Sequence, residues 1–434
     1  MLANKLNLTE NKENKENNWF DIVLSLLILS SIIGFLSVRG WTNTCLYILL
    51  ALSLFHIKRN FKHSYQIDNS IQLNVIFIIL ALPIASIFIS QLGRQDWLFK
   101  AYDSPSRMFF SIPILLLLIY KKVNFSHLLG LAAPLALLTT AISIYQHPEV
   151  ISRWGGRFAT TFVDPTAFGP YAVVLSSICL FHLDVSFQSS KLWFFYQSIG
   201  LLTALFLITG SGTRGSWLAI PAIFILWLHL NYRKISLPFS LICTLLLASY
   251  IAGTLFYFPH SYDRFLSGFS ETINWFKQSK LDSSTGLRLS MWKISWHLFI
   301  HKPVFGYGDL GIAAYLDKPW FSSTATAKAI EMIKCCGPHN ELLANALRSG
   351  ITGIISTLSL FIVPFVFFAK NAYHCKPEIA KASHIGLAYI TCLAISSLSS
   401  EIFTLKYTSS FYGLMIAGLA AQIISASLPP PKKN

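Results

Sequence analysis

Apolar residues fall in twelve long stretches along this chain, separated by short polar connections and one long one. They lie near 21–38, 42–56, 71–90, 108–120, 125–145, 168–183, 192–209, 215–230, 236–257, 351–369, 383–400 and 408–427. Most approach the length a helix needs to cross a bilayer, about 20 residues. Pro83, Pro113, Pro134, Pro221 and Pro364 sit inside stretches, which membrane helices tolerate. Runs such as IPILLLLIY show no alternation with period two, so a membrane β-barrel is excluded. The pattern predicts an all-α, polytopic integral membrane protein with about twelve transmembrane helices. Residues 1–20 read as a cytoplasmic tail, 21–257 as helices one to nine, and 258–350 as a large loop. Residues 351–427 read as helices ten to twelve, and 428–434 as a second tail. No small-residue cleavage site closes the first apolar run, which reads as a retained signal anchor.

The long loop has its own periodicity. Apolar residues at 262, 265, 266, 269, 273 and 276 are spaced for an amphipathic helix lying on the membrane or capping the bundle. A second helix covers LRLSMWKISWHLFI, with Leu289, Trp292, Trp296 and Phe299 on one face. Arg288 falls in its first turn, where a cation opposes the helix dipole and does not serve helix stability. Lys302-Pro303 ends that helix, and Gly306-Tyr307-Gly308 reads as a flexible turn. In GPHNELLANALRSG (337–350), Pro338 suits a first helical turn, which places His339 near a helix N-terminus. That position disfavours imidazolium and keeps the ring neutral, as a general base requires.

Composition agrees with the pattern. Of 434 residues, 53% are hydrophobic and only 12% charged, with a net charge of +15. This excludes a disordered chain, a nucleic-acid-binding globule and an ordinary cytosolic enzyme. With the N-terminus inside, the cytoplasmic segments hold 16 Lys and Arg, the short outer loops 8 and the long loop 10. The positive-inside rule therefore places both termini in the cytoplasm. The two cations also separate by type. The cytoplasmic 16 comprise 14 Lys and 2 Arg, whereas 9 of the 11 Arg lie outside. Topology needs only positive charge, but a guanidinium adds a planar fork suited to phosphate. The outer face thus reads as built to hold an anion. Arg157 stands in a Gly- and Thr-rich loop, and Arg214 in the turn TGSGTRGSW, whose glycines expose backbone N–H groups. No Asp, Glu, Lys or Arg sits in the interior of a stretch, Asp21 being at an edge, and no internal repeat is visible, which argues against an ion-coupled transporter.

Metal chemistry finds no support in the motifs. There is no DxD, HExxH or P-loop pattern, so no metal ligand and no cofactor is assigned. Cys335 and Cys336 precede His339 without a standard zinc spacing. Adjacent cysteines are expected not to bridge each other, because the geometry is strained.

Taken in order, several motifs resemble the O-antigen ligase family and its relatives among bacterial polysaccharide polymerases. They are Arg-Phe…Pro-Thr (157–166), Thr-Arg-Gly (213–215), Gly-Leu-Arg-Leu followed by Trp292 (286–292), Lys-Pro…Gly-Tyr-Gly (302–308) and His-Asn-Glu-Leu (339–342). The resemblance spans about residues 130–410 and includes the layout of twelve spans with one large loop between the ninth and tenth. It implies a GT-C-like glycosyltransferase architecture in the bacterial inner membrane, with the site on the periplasmic side. The implied activity moves O-antigen polysaccharide from undecaprenyl pyrophosphate to lipid A-core, inverting and without metal. Arg214 and Arg288 would hold the pyrophosphate with Arg157 as a third contact, and His339 would deprotonate the acceptor hydroxyl. Glu401, in the last outer turn, would orient an Arg or the acceptor, with Asn340 and Glu341 as further orienting residues. Lys406 stands where an Arg is expected. A polymerase extending the same lipid-linked glycan is the nearest alternative, and a lipid-linked glycan transporter a second.

Overall fold

The computed structural model describes residues 19–60, 71–183, 190–232, 237–257, 259–279, 281–316 and 319–428. Nearly all of both tails lies outside these residues. The described chain is helical throughout. In order, the helices are α1 (Trp19–Ile33), α2 (Trp41–Asn60), α3 (Ile71–Arg94), α4 (Ser106–Tyr120), α5 (Phe125–Gln146) and α6 (Pro148–Arg153). Then come α7 (Pro165–His182), α8 (Lys191–Ser211), α9 (Arg214–Asn231), α10 (Leu237–Tyr257), α11 (Pro259–Phe276) and α12 (Ser284–His301). The last are α13 (Gly308–Tyr315), α14 (Pro319–Thr324), α15 (Ala327–Cys336), α16 (Glu341–Asn371), α17 (Pro377–Ser397) and α18 (Lys406–Ser427). Each of the twelve apolar stretches falls on a helix. Among the described residues, seven helices (α3, α5, α7, α8, α16, α17 and α18) are long and apolar enough to cross a membrane. The protein is therefore a polytopic helical membrane protein.

At the centre stands α18, in which every residue from Thr408 to Ser425 is buried. A helix buried all round needs neighbours on every side, and small residues let them approach closely. A Cβ on Gly413 would run into Ser111 of α4, and one on Gly418 into Phe125 of α5. Around this axis α16 packs on α3 and α17, while α7 packs on α8, α5 and α9.

The segment 259–340 adds a second, separate core. Leu287, Met291, Ile294 and Leu298 of α12 pack with Tyr307, Leu316, Phe321, Ala329 and Ile333. Leu347 of α16 completes this cluster and joins it to the bundle. The buried face of α12 is thus not the predicted one. Leu289, Trp292 and Phe299 are only half-buried and Trp296 is exposed. The apolar side of this helix is nearly continuous, so spacing alone did not select the face. On α11 the predicted face is left uncovered: Leu266, Phe269, Ile273 and Phe276 are exposed.

Helix α16 joins the end of the long loop to the tenth apolar stretch. It is broken at Gly350, whose φ of 63° and ψ of −141° are not helical. The break is filled by the 303–307 turn, where Ile351 N–H donates to Pro303 O at 2.7 Å and Tyr307 N–H to Leu347 O at 2.7 Å. Gly306 adopts φ 66° beside the Leu347 carbonyl. The turn read as flexible is therefore buried and hydrogen-bonded.

Candidate functional site

The α8–α9 turn supplies the floor of the site. Gly212 takes φ 57° to end α8, and Thr213 stands at the N-cap of α9. The Thr213 hydroxyl donates to Pro165 O at 2.6 Å and accepts from Arg157 Nη2 at 3.0 Å. Arg157 Nε donates to Ser211 O at 2.8 Å. Arg157 and Arg214, 57 residues apart in the chain, are thereby fixed on either side of one turn.

The opposite wall comes from α12 and the residues before α16. Ser283 caps α12 by accepting from Gly286 N–H at 3.1 Å. The helix therefore begins earlier than the sequence suggested, and Arg288 lies just past its first turn rather than within it. Trp292, one turn further on, donates from its indole to Pro338 O at 3.1 Å. This bond seats His339 beside the helix that carries Arg288. Pro338 is not helical. α16 starts at Glu341, Asn340 is its cap, and His339 holds a left-handed φ of 51°.

A cavity of about 410 Å³ opens here, lined by Arg157, Arg214, Arg288, Lys328 and His339, by one carboxylate, Asp282, and by Thr166, Thr213, Met291 and Met332. Four cations and a histidine converge on one space. Burial lowers the His339 ring below its usual 6.5, Arg288 lowers it further, and Asp164 partly opposes them. At neutral pH the ring is uncharged and able to accept a proton.

Arg214 does not face the cavity unencumbered. Its guanidinium makes a bidentate pair with Glu271 of α11 at 3.0 and 3.1 Å, and also donates to Thr285 Oγ1 and Ser267 Oγ, both at 2.8 Å. Burial works to raise the Glu271 carboxyl, but hydrogen bonds from Arg214 and Thr285 outweigh it and set it at about 2.

His339 also lines a second cavity of about 260 Å³, with Asp164, Thr166, Tyr171, Cys336 and Glu401. His339 and Thr166 form the wall between the two. Burial pushes the Glu401 carboxyl up to about 7, against the pull of Arg348. One of its oxygens accepts from Arg348 Nη2 at 3.3 Å, and the other is buried without a partner. Lys406 pairs with Asp103, not with Glu401.

Asn340 and Glu341 line neither of these spaces. Asn340 accepts from Leu343 N–H at 3.0 Å and donates to Leu398 O at 3.2 Å. The buried Glu341 accepts from Phe403 N–H at 3.0 Å and from Asn345 at 2.6 Å. Together they clamp the start of α16 to the turn that carries Glu401. Cys335 and Cys336 form a disulfide with each other, against the expectation that adjacent cysteines stay apart.

Three residues of the site were missed in the sequence. Lys328 stands in the first turn of α15, where a cation opposes the dipole, the signal the sequence had attached to Arg288. Glu271 and Arg348 carry no local signal, because their partners lie 57 and 53 residues away.

Comparison with known proteins adds to this geometry. Over 385 residues the chain is 22% identical to an uncharacterized protein of Haemophilus influenzae, covering 85% of this chain and 90% of that one. Residues 199–358 match the family model described as O-antigen ligase. The matched segment contains Arg214, Glu271, Arg288, Lys328 and His339. The match over residues 199–358 thus ties this polytopic helical membrane protein to the O-antigen ligase family model, a family that implies a membrane glycosyl-transferring enzyme of the ligase and polymerase type.

Proposed function

We propose that this protein is an O-antigen ligase, transferring polysaccharide from undecaprenyl pyrophosphate to lipid A-core at the periplasmic face of the inner membrane. The observation that carries the reading is that Arg157, Arg214, Arg288 and His339 line one cavity. The proposal includes twelve spans in a GT-C-like arrangement, both termini in the cytoplasm, and a periplasmic large loop.

In this reading the arginines and Lys328 hold the lipid pyrophosphate. As the acceptor oxygen bonds to the anomeric carbon from the far side, the bond to the pyrophosphate oxygen breaks and negative charge grows on the leaving group. Fixed guanidinium donors beside a low-dielectric bilayer stabilise that charge. The hydroxyl proton passes to the neutral His339 ring. His339 lies in the wall between the two cavities, which suits a base that meets the acceptor on one side and the donor on the other. Asn340 and Glu341 act as positioning residues through the clamp on α16, and Glu401 does so through Arg348. No step draws on a metal or a cofactor.

The deletion strain tests the assignment through its lipopolysaccharide. A ligase mutant leaves bare core, with long chains retained on the carrier lipid. Core bearing a single repeat would make the protein the polymerase instead. Purified protein in liposomes with donor and acceptor distinguishes enzyme from transporter: glycan transfer is expected, and transport without transfer would refute the reading.

A further inference from the structure

Arg214 is extensively occupied by the protein itself. Four of its guanidinium N–H groups are directed at Glu271, Thr285 and Ser267, and its Nε is buried without a partner. Arginine has five donors, so four are committed to the protein and only the buried Nε is left without a partner. A group placed to hold an anion already holds one.

The anion comes from a helix with two opposed faces. On one side α11 exposes Leu266, Phe269, Ile273 and Phe276, a stripe suited to a lipid surface. On the other it presents Ser267 and Glu271 to Arg214, with Gly268 between them. The Trp275 indole donates to Ser290 Oγ at 2.9 Å and ties the end of α11 to α12.

Glu271 has a second attachment. Its Oε2 accepts from Thr285 N–H at 2.9 Å, in the first turn of α12. A helix N-terminus favours a carboxylate without any help from an arginine. If Arg214 let go, Glu271 would keep this bond and would not be stranded. Arg214 would in turn exchange a carboxylate for a phosphate, which brings more acceptor oxygens and charge. Neither partner is left as an unpaired buried charge, which is the outcome that makes most buried ion pairs costly to open.

We infer that Glu271 is a resident placeholder for the donor's pyrophosphate: it competes for the Arg214 guanidinium, and the incoming headgroup displaces it. The inference rests on the pyrophosphate reading of the cavity. It makes Glu271 a determinant of donor affinity and selects for ligands that can out-compete a carboxylate. A diphosphate, able to reach Arg288 and Arg157 as well, does so better than a monophosphate.

The test is binding of a short polyprenyl pyrophosphate and the matching monophosphate to the purified full-length protein in lipid nanodiscs. Glu271→Gln is expected to bind the pyrophosphate about five- to tenfold tighter than wild type, the weight of one released ion pair. The monophosphate is expected to gain more, narrowing the discrimination between the two. Glu271→Asp, whose carboxylate stops one methylene short of Arg214, gives a smaller gain and serves if Glu271→Gln fails to fold. The gain must vanish when Arg214→Ala is combined with Glu271→Gln, because both act on one contact. Wild-type binding with an equal or weaker Glu271→Gln would overturn the placeholder and leave a purely structural clamp. Failure of wild type and every variant to bind the pyrophosphate would overturn the reading of the cavity itself.

Discussion

Burial and the Arg288 guanidinium both press the His339 ring toward its neutral form, and Asp164 only partly opposes them. A base with a lowered pKa stays competent to lower pH. The sign follows directly: the ring is active when unprotonated, so activity holds at and above pH 6.5 and falls on the acid side, below that value. A kcat/KM profile with its acid limb below pH 6.5 is expected; a limb above 6.5 would remove His339 as the base. At Arg288 the requirement is geometric as well as electrostatic. Lysine keeps the charge but loses the planar fork, so Arg288→Lys should lower kcat/KM roughly 10- to 100-fold, the weight of one or two charge-assisted bonds. Activity within twofold of wild type would show that a point charge suffices. These two residues were legible in the chain because each carries a local oddity, a histidine and a cation near helix starts. Glu271 was not, since a carboxylate on the polar side of an amphipathic helix looks like any solvated charge until Arg214 is seen against it. Arg157 and Arg214 were legible as candidates, but the turn that joins them through Thr213 was not.

Between elements, the decisive feature is the junction of the two cores at Gly350. The apolar pattern places a span at 351–369 and a loop helix before it, and both are present, but as one helix with a break. Periodicity could not register that, because both halves are helical on either side. What joins them is the close approach of the 303–307 turn, which only small residues permit. A Cβ on Gly350 would meet the Val304 and Pro303 carbonyls, and φ 63° disfavours it independently. Gly350→Ala is therefore expected to destabilise by more than about 1 kcal/mol, read as a lowered thermal midpoint. Because Leu347 belongs to the loop core, the same change should loosen α12 and raise the KM for donor. A variant with unchanged midpoint and KM would show that the break is not what seats the loop. The orientation of α12 teaches the same lesson from the other side. Its helix was legible from spacing, but its buried face was chosen by Tyr307, Phe321 and Ile333, which lie outside it.

At the scale of the molecule, the two ends of the bundle differ in what they present. One end gathers the α8–α9 turn, the start of α16 and the 398–405 turn, with the arginines and the cavities. The opposite end carries the connections 121–124 and 372–376, where the cations are Lys121, Lys122 and Lys376. Lysine suffices where charge only has to stay on one side of a bilayer, and arginine collects where it has to grip. The proposed topology puts the arginine end outside and the lysine end in the cytoplasm. The chain contains its own reporter for this. Cys375 is a free, exposed thiol at the lysine end, whereas Cys335 and Cys336 lie at the arginine end as a disulfide. In intact spheroplasts, a membrane-impermeant maleimide should leave Cys375 unlabelled until the membrane is permeabilised. After mild reduction, Cys335 and Cys336 should react without permeabilisation, and Cys335→Ser with Cys336→Ser should abolish that signal. Labelling of Cys375 in sealed spheroplasts would invert the orientation. The arginine cavity would then open to the cytoplasm, the wrong side for a transfer at the periplasmic face.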